Sequence, residues 1–344
     1  MHLSIGYQLP DENDCISDIV QDFAGTVTNV YFAAPGQKSA RMAIDPQDRD
    51  LMMEELGYIR DQGVTLTMLH NANCYGDLAR SAELREILVK STGEMIDKVG
   101  LTSVTTTSPF AAKVLKKEFP ELRLCASVNM WIGTEQAMQA LSSYFDDFYL
   151  QRELNRDFKA IERLKGWCDA HGKKLRLLAN SGCLYTCPFH TFHDNLVAHD
   201  EGASGHENVM SSKPSPCWDY LEEIGVYKAA AAFLGESWIR PQDISKYEPY
   251  FDEVKLATRM HSNPRRVVSA YARGRFKGNM FDLTEPSFSR HFDKYILDAT
   301  LFPEDWFERT SNCSRRCEEC GYCFRTAEQM LITKQELAKL YQSS

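Results

Sequence analysis

Several features that would reveal a function at once are missing from this sequence. No apolar run approaches the roughly 20 residues that a membrane-spanning helix needs. The first residues lack the basic and apolar regions of a secretory signal, so we expect a cytoplasmic protein without a membrane partner. The net charge of −9 disfavours a broad electrostatic grip on nucleic acid, and RNA binding would depend on one local basic stretch. Its arginines are Arg265, Arg266, Arg273 and Arg275.

Common catalytic signature motifs are also absent. The sequence contains no GxGxxG or Walker A run, which disfavours a nucleotide-binding sheet. It contains no HExxH or GxSxG run either, so two frequent kinds of hydrolase receive no support from their motifs. An enzymatic function must therefore be inferred from other residues.

Cysteine, by contrast, is abundant, with 11 in the chain. Where no secretory signal is present, clustered cysteines indicate metal or redox ligands rather than disulfides. Most of these cysteines fall in two groups. Cys15, Cys125 and Cys168 lie outside both, in helix or strand patterns, and we expect them to be core residues.

Short runs rich in branched and aromatic residues alternate with helical patterns along the chain. This alternation predicts βαβ units and a parallel sheet. Eight such runs favour a closed (β/α)8 barrel of the α/β class over a doubly wound open sheet. Helices are predicted to begin at Asp45-Pro46 and at Ser108-Pro109. The candidate strands are residues 3–8, 27–34, 64–70, 101–107, 122–128, 147–151, 174–180 and 254–259.

One interruption of this alternation defines the predicted domains. We predict a barrel over residues 1–275, with an insertion over residues 181–253 after the seventh strand. Residues 276–344 are predicted to form a C-terminal extension. Long irregular segments within a compact domain are usually functional, and both of these segments carry cysteines.

The first cysteine group follows the seventh predicted strand. It comprises Cys183 and Cys187, with Cys217 further along the insertion. Barrel enzymes place their chemistry at the C-terminal ends of the strands, and three thiolates on loops suit a 4Fe–4S cluster. The fourth ligand is either Cys74, after the third strand, or an open iron position. A zinc site is the alternative, with the ligands Cys183, Cys187, His190 and His193.

The second cysteine group lies in the C-terminal extension. Its thiols are separated by three, two and two residues, so they can surround one metal centre within a short loop. A second 4Fe–4S cluster and a structural zinc both fit four thiolates. The group consists of Cys313, Cys317, Cys320 and Cys323.

Polar side chains recur where the predicted strands end. A barrel gathers these positions around one pocket, so we expect them to form a substrate site. Arginine pairs bidentately with carboxylates, which predicts an anionic substrate group. The substrate-binding candidates are Arg152, Asn180, Lys255, Arg259 and Asn129. The candidates for acid–base catalysis are Glu153, His70 and His193.

Three of these segments together resemble the collagenase-like U32 peptidase family. Arg152-Glu153-Leu154 matches the family's RELS-type segment, and Cys183 and Cys187 match its cysteine pair after the seventh strand. Lys255 and Arg259 match the ends of its KIEGR-type strand. The chain departs from the family pattern at Ala257-Thr258, where the family has Glu-Gly, in the closer spacing of the cysteine pair, and in the additional C-terminal cysteines.

The resemblance implies an iron–sulfur protein, because relatives take part in oxygen-independent hydroxylation of ubiquinone precursors or RNA bases. It implies a cluster at Cys183, Cys187 and Cys217. Our main hypothesis is therefore a hydroxylase-like redox enzyme with one or two 4Fe–4S clusters, acting on a small-molecule, peptide or RNA-borne substrate and using an electron-donor protein. The alternatives are a metal-dependent peptidase or other hydrolase, and a non-catalytic electron-transfer protein.

Overall fold

Eight parallel strands close into a barrel in chain order, which confirms the predicted (β/α)8 fold and excludes the open sheet. The computed structural model describes residues 1–11, 14–34, 46–199 and 215–336. The barrel strands are β1 (His2–Gly6), β2 (Val27–Ala33), β3 (Thr65–His70), β4 (Ser103–Thr106), β5 (Arg123–Ala126), β6 (Asp147–Tyr149), β7 (Lys174–Leu178) and β8 (Glu253–Lys255).

Helices cover the outside of the barrel. In the barrel and its insertion they are α1 (Ile16–Asp22), α2 (Arg49–Asp61), α3 (Ala82–Val99), α4 (Pro109–Glu118), α5 (Glu135–Leu141), α6 (Phe158–Ala170), α7 (His190–Ala198), α8 (Cys217–Ile224), α9 (Val226–Gly235) and α10 (Pro264–Ala272). The predicted start at Ser108 is confirmed, because its hydroxyl caps α4 by accepting the N–H of Ala111. The start predicted at Asp45 lies outside the described residues. None of the described helices combines the length and apolarity needed to cross a bilayer.

All eight predicted strands are present, but most are shorter than predicted. Residues such as Asn180 and Arg259 lie beyond the paired segments, because the chain leaves the hydrogen-bonded ladder to form loops at the C-terminal ends of the strands. These loops surround the open end of the barrel, which we call the mouth. They place the predicted polar residues on the side of the barrel where enzymes of this fold act.

The barrel interior is unusually polar. Side chains alternate along each strand, so Leu66 and Met68 pack against the helices while Thr67 faces inward. Near the closed end, the Asn29 amide donates to the Thr67 hydroxyl (2.9 Å), and the Ser4 hydroxyl donates to Asn29 (2.8 Å). Hydrogen bonds therefore take the place of the branched apolar layers that usually fill such barrels.

An ionic network continues this polar interior across four neighbouring strands. The buried Asp147 carboxylate binds the guanidinium groups of Arg123 and Arg176, the latter at 2.7 Å. Arg176 also binds Glu253 at 2.8 Å. These residues lie at the starts or middles of their strands, away from the mouth, so we assign the network to stability.

The C-terminal extension is packed on the barrel and contributes to the same hydrophobic core. Its apolar side chains, among them Phe281, Phe288 and Trp306, belong to the core cluster that also contains the barrel strands. The extension adds the two-stranded antiparallel pair β9 (Tyr295–Leu297) and β10 (Leu331–Thr333). Its helices are α11 (Trp306–Ser311), α12 (Cys317–Cys320) and α13 (Tyr322–Met330).

Candidate functional site

Three thiols converge beside the mouth, and we call Cys183, Cys187 and Cys217 the thiol trio. Cys183 and Cys187 lie in the loop after β7, and Cys217 is the first residue of α8. Burial raises the pKa of the Cys217 thiol to about 12, and the neighbouring Cys187 and Cys183 add to that shift. These three thiols therefore act on one another electrostatically, whereas the metal centre that the sequence predicted for them stays a prediction.

The loop that carries the first two thiols is strained. Thr186, between them, has a φ of 47°. A β-branched residue rarely adopts this left-handed conformation, which costs free energy and is found mostly at functional sites. The surrounding structure thus holds the Cys183–Cys187 loop in a defined shape.

A buried arginine and a buried glutamate accompany the trio. Arg152 Nη1 lies 3.4 Å from Cys183 Sγ and donates a hydrogen bond to it. Glu236 follows α9 and is 0% exposed, and neither of its carboxylate oxygens has a hydrogen-bond partner within the described ranges. Burial raises the pKa of Glu236 well above its usual value, and Cys183 adds to the shift.

The donor set fits a thiophilic metal centre. Three thiols, a cationic guanidinium that favours the thiolate form and an unpaired carboxylate are the groups such a centre uses. Among the described residues, no three His, Cys, Asp or Glu side chains are gathered closely enough to hold a single ion as they stand.

The two histidines of the insertion have different surroundings. His190 is buried, and its Nδ1 accepts the indole N–H of Trp131 at 2.9 Å. Its Nε2 therefore carries the proton of the neutral ring, 2.9 Å from Asp194 Oδ2. His193 is half-buried, and its Nε2 lies 3.3 Å from the hydroxyl of Ser215, two residues before Cys217.

Lys255 lies in the barrel below the mouth. Its Nζ is 3.7 Å from the centre of the Tyr31 ring and 5.2 Å from that of Tyr149. Burial lowers the pKa of Lys255 to about 7, and the positive charge of Arg259 adds to the shift. The sequence-predicted cations Lys255 and Arg259 are thus brought together, over aromatic faces that stabilise positive charge.

Two predicted site residues have other positions than expected. His70 continues the outward series of Leu66 and Met68 on β3 and is 0% exposed, so it faces the helices and not the mouth. The Asn180 side chain donates to the carbonyls of Ala257 and Leu283 and accepts the N–H of Ala257. The proton-transfer role of His70 and the substrate-binding role of Asn180 are therefore corrected to structural roles.

The contacts of the remaining predicted residues do not assign them a specific role in the site. Glu153 is buried next to Arg152 and contributes to the electrostatic surroundings of its guanidinium. Asn129 lies half-buried in the turn after β5. The Cys74 sulfur accepts the N–H of Gly76, two residues further on, and the structure does not assign it to the trio.

The second cysteine group, which we call the tail tetrad, lies on α12 and beside it. Cys313, Cys317 and Cys320 are exposed, and Cys323 is half-buried. Burial raises the pKa of Cys323 to about 11, and Cys313 and Cys317 add to that shift. Arg315, between the first two, has a φ of 61°, so this loop is strained in the same way as the loop of the trio.

A cavity of about 1080 Å³ separates the tail tetrad from the loop of the trio. Leu184 and Gly235, the chain neighbours of Cys183 and Glu236, line one side of it, and the tetrad lines the other. The Arg315 guanidinium closes one end, because it donates to the Gly235 carbonyl and lies 3.9 Å from the Tyr185 ring. The cavity therefore lies between the tail tetrad and residues 184–189 of the loop that carries Cys183 and Cys187, whose own side chains are not among its lining.

Two of the four arginines in the local basic stretch form ion pairs with carboxylates. Arg265 binds Asp14 (2.7 Å) and also Asp22, and Arg266 binds Asp282 (3.0 Å). These ion pairs reduce the positive charge that this stretch presents to a phosphate backbone.

The sequence analysis did not identify the side chains that distant parts of the chain bring close to the predicted site residues. Glu236 stands alone in an apolar segment, and Tyr31 and Tyr149 read as core residues. Strand alternation could have found the two tyrosines, because both share the inward parity of Lys255. No local signal points to Glu236.

Comparisons with known proteins give two similarities of substance, although no family model matches the chain. The chain is 24% identical over 296 residues to an uncharacterized protease, MJ1657, of Methanocaldococcus jannaschii, with 84% of this chain and 83% of the relative covered. Among solved structures it is similar to the U32 peptidase Mk0906, with a TM-score of 0.53 and 13% identity over 75% of this chain and 92% of that one. The resemblance to the U32 peptidases is thereby confirmed, and the chain is consistent with a divergent member of that family.

Proposed function

We propose that this protein is an enzyme that hydrolyses peptide bonds at a metal centre beside the barrel mouth. The observation that carries the proposal is the convergence of the thiol trio with Arg152 and the unpaired Glu236. Buried groups of this kind cost free energy, so their presence together in one place favours a functional role.

The peptide class of the substrate is supported by the two relatives. Their names are those of a protease and a peptidase, and similarity to them favours the hydrolase alternative over the redox hypothesis drawn from the sequence. The cavity beside the trio has the volume of a small-ligand site, and an extended chain of a few residues would fit it.

Each residue near the mouth would have a separate role in the proposed reaction. The Arg152 guanidinium would orient the Cys183 sulfur through its hydrogen bond, and Lys255 with Arg259 would hold a carboxylate of the substrate. The trio would hold the metal centre, which when bound supplies either a Lewis acid or an electron carrier. Glu236 is the only carboxylate found beside the trio in the described ranges that has no hydrogen-bond partner.

Iron–sulfur redox catalysis is the second candidate. The observation in its favour is that the trio consists of thiols alone, which are the usual ligands of iron–sulfur clusters. The tail tetrad would then hold a second centre and would receive electrons from a donor protein.

The test is metal and sulfide analysis of the anaerobically purified full-length protein, together with a peptide-hydrolysis assay. For the proposed hydrolase we expect bound metal, release of new amino termini from a peptide library, and loss of both in Cys183→Ala and Cys217→Ala. Cys15→Ser is the control, since Cys15 caps α1 and serine is an equally good cap.

The outcomes separate the two candidates. Iron with acid-labile sulfide and no peptide hydrolysis would replace the proposal with the redox function. Protein without metal, or full metal content and hydrolysis in both alanine variants, would overturn the metal-centred site altogether.

A further inference from the structure

One layer of side chains inside the barrel, next to the mouth, contains a lysine. Closed eight-stranded barrels fill their interior with layers of four side chains from alternate strands. The strand register puts Tyr31 of β2, Thr105 of β4, Tyr149 of β6 and Lys255 of β8 into one such layer, because the paired positions advance by the same step from each of these strands to the next. The distances of 3.7 Å and 5.2 Å from Lys255 Nζ to the two tyrosine rings agree with this assignment. We call these four residues the lysine layer.

Lys255 has no anionic partner in this layer. In the described ranges, no hydrogen bond or ion pair involves its Nζ, which contacts aromatic faces instead. The carboxylates of Asp147 and Glu253 lie lower in the barrel and bind Arg176 at 2.7 and 2.8 Å. Interior lysines are almost always paired, so an unpaired one favours a functional role. Burial lowers the pKa of Lys255 to about 7, so a large share of the side chain is a neutral amine near neutral pH.

Thr105 supplies a second unsatisfied group to the lysine layer. It is 2% exposed, and its hydroxyl has no hydrogen-bond partner among the described residues. Thr105 shares the inward parity of Ser103, whose hydroxyl lies 2.6 Å from that of Thr67 inside the barrel. Because β4 and β8 lie on opposite sides of the closed barrel, Thr105 faces Lys255 across the barrel axis. An amine and a hydroxyl donor therefore point into the same space from opposite walls.

The lysine layer lies on the side of the barrel that opens to solvent. Lys255 is the last residue of β8 and is half-buried, so its side chain remains accessible from the mouth. Below the layer, the ionic network of Arg123, Asp147 and Arg176 fills the barrel. A small molecule that enters through the mouth would therefore meet the amine of Lys255 before it meets that network.

We propose that Lys255 is a nucleophile that forms an imine with a small aldehyde or ketone bound inside the mouth. The amine nitrogen attacks the carbonyl carbon and gives a carbinolamine, in which the carbonyl oxygen has become a hydroxyl. That oxygen then leaves as water, with both hydrogens coming from the amine, and a C=N bond replaces the C=O bond. The step needs no oxidant, reductant or metal.

The other members of the lysine layer have defined roles in this step. The Thr105 hydroxyl would donate to the carbonyl oxygen while negative charge develops on it. The faces of Tyr31 and Tyr149 would stabilise the positive charge of the protonated imine, as they now contact the ammonium.

This reactivity goes beyond the proposed peptide hydrolysis and does not depend on a metal centre. In the hydrolase, the ammonium form of Lys255 would bind a carboxylate, whereas imine formation uses the neutral amine. Both forms are present near neutral pH, so the two roles are compatible in one side chain.

The experiment is reductive trapping of the full-length protein with propionaldehyde and sodium cyanoborohydride at pH 7, followed over time by peptide mass spectrometry. We expect Lys255 to acquire the propyl adduct at least about tenfold faster than exposed Lys90, because an ordinary lysine is almost entirely protonated at this pH. Thr105→Val keeps the shape of the side chain and should slow trapping at Lys255 by about three- to tenfold.

Two variants serve as matched controls. Lys90→Met should leave the trapping rate at Lys255 unchanged, since Lys90 lies on the outer helix α3. Lys255→Arg keeps a cation beside the two tyrosines and should remove only the rapidly formed adduct. Circular dichroism establishes that each variant is folded.

Several outcomes would overturn the proposal. Labelling that follows surface exposure, with Lys255 no faster than Lys90, would show that Lys255 is not a nucleophile. An adduct at Lys255 that persists without cyanoborohydride would show that it is not an imine. If Lys255→Arg does not fold, the order of labelling in the wild type and the rate in Thr105→Val decide. Metal content does not enter this measurement, so this proposal and the proposed hydrolysis stand or fall separately.

Discussion

Lys255 shows how one residue can serve two purposes in a barrel. Its ammonium has the aromatic faces of Tyr31 and Tyr149 on its sides and the positive charge of Arg259 nearby. The aromatic faces favour the ammonium, but burial and the charge of Arg259 outweigh them and destabilise the charged form, so an anion bound there would favour it again. Lys255 therefore lowers the free energy of unfolding of the protein while it provides a group that can bind an anion.

Lys255→Met should make the protein more stable and less active. The pKa of Lys255 in the folded chain is about 7, against an ordinary 10.5, so the unfolded chain binds more protons between these values and stability rises with pH across that window. Since the side chain is only partly enclosed, we expect a gain of about 1–3 kcal/mol in the free energy of unfolding at pH 6.5, shrinking towards pH 9. Urea denaturation at both pH values measures it.

Lys90→Met, at an exposed position of α3, is the control and should leave the pH dependence unchanged. A Lys255→Met protein that is less stable than the wild type at pH 6.5 would contradict this account of the buried amine.

His70→Leu should remove part of the acid sensitivity of the protein. Burial lowers the pKa of His70 to about 4, so the unfolded chain takes up the proton first and the wild type loses stability as pH falls from 6.5 towards 4. We expect the loss between pH 7 and pH 4.5 to be about 2 kcal/mol smaller in the variant. His171→Leu, which removes an exposed ring, is the comparison in urea denaturation, and equal losses in wild type and His70→Leu would refute the prediction.

At the scale of secondary structure, ion pairs inside the barrel link neighbouring strands in addition to the backbone hydrogen bonds between them. The carboxylate of Asp147 on β6 links Arg123 on β5 with Arg176 on β7, and Arg176 continues to Glu253 on β8. Because β6 and β8 are only three residues long, few backbone hydrogen bonds hold them. Side-chain pairing compensates for this shortness.

Asp147→Asn should destabilise the fold and spare the site. Removing the charge leaves two arginines without their shared partner, which should cost about 2–4 kcal/mol in the free energy of unfolding. Metal content should stay at the wild-type level, since Asp147 lies at the start of its strand, away from the mouth. Asp169→Asn, in an exposed pair on α6, should change stability by about 0.5 kcal/mol or less in the same denaturation experiment.

Arg315→Ala should loosen the C-terminal extension from the barrel insertion. It removes the hydrogen bond to the Gly235 carbonyl and the stacking on Tyr185, which together we expect to be worth about 1–2 kcal/mol. Amide hydrogen exchange over α12 and α13 should become faster, whereas Arg316→Ala, whose side chain is exposed, should leave it unchanged. Unaltered exchange in Arg315→Ala would show that other contacts fix the tail.

At the scale of the whole molecule, the sequence predicted the architecture better than the site. Apolar runs and helix caps such as Ser108 are local signals, and they sufficed for eight strands in the right order. The site depends on residues that only the closed barrel brings together. The sequence could not distinguish His190 from His193, or give Asn180 its backbone partners, because burial and distant carbonyls decide those roles.

A chain that ends at residue 275 should fail to fold cooperatively. The extension supplies Phe281, Phe288 and Trp306 to the shared core, and its Leu283 carbonyl receives the Asn180 side chain. Loss of these contacts exposes apolar surface, so we expect dye binding and no sharp unfolding transition in near-ultraviolet circular dichroism. A soluble, cooperatively unfolding fragment would show that residues 1–275 form the independent domain predicted from the sequence.

The pairing of β9 with β10 has a consequence for how the protein would acquire its second metal. The ribbon fastens the chain both before and after the tail tetrad, so that segment is a closed loop tied at its two ends. The chain loses the entropy of loop closure when the protein folds, so a metal ion that binds later does not have to overcome it. The tetrad thiols are not gathered around a single ion as they stand, so a metal bound there would still have to draw them together, but within a loop whose two ends are already fixed.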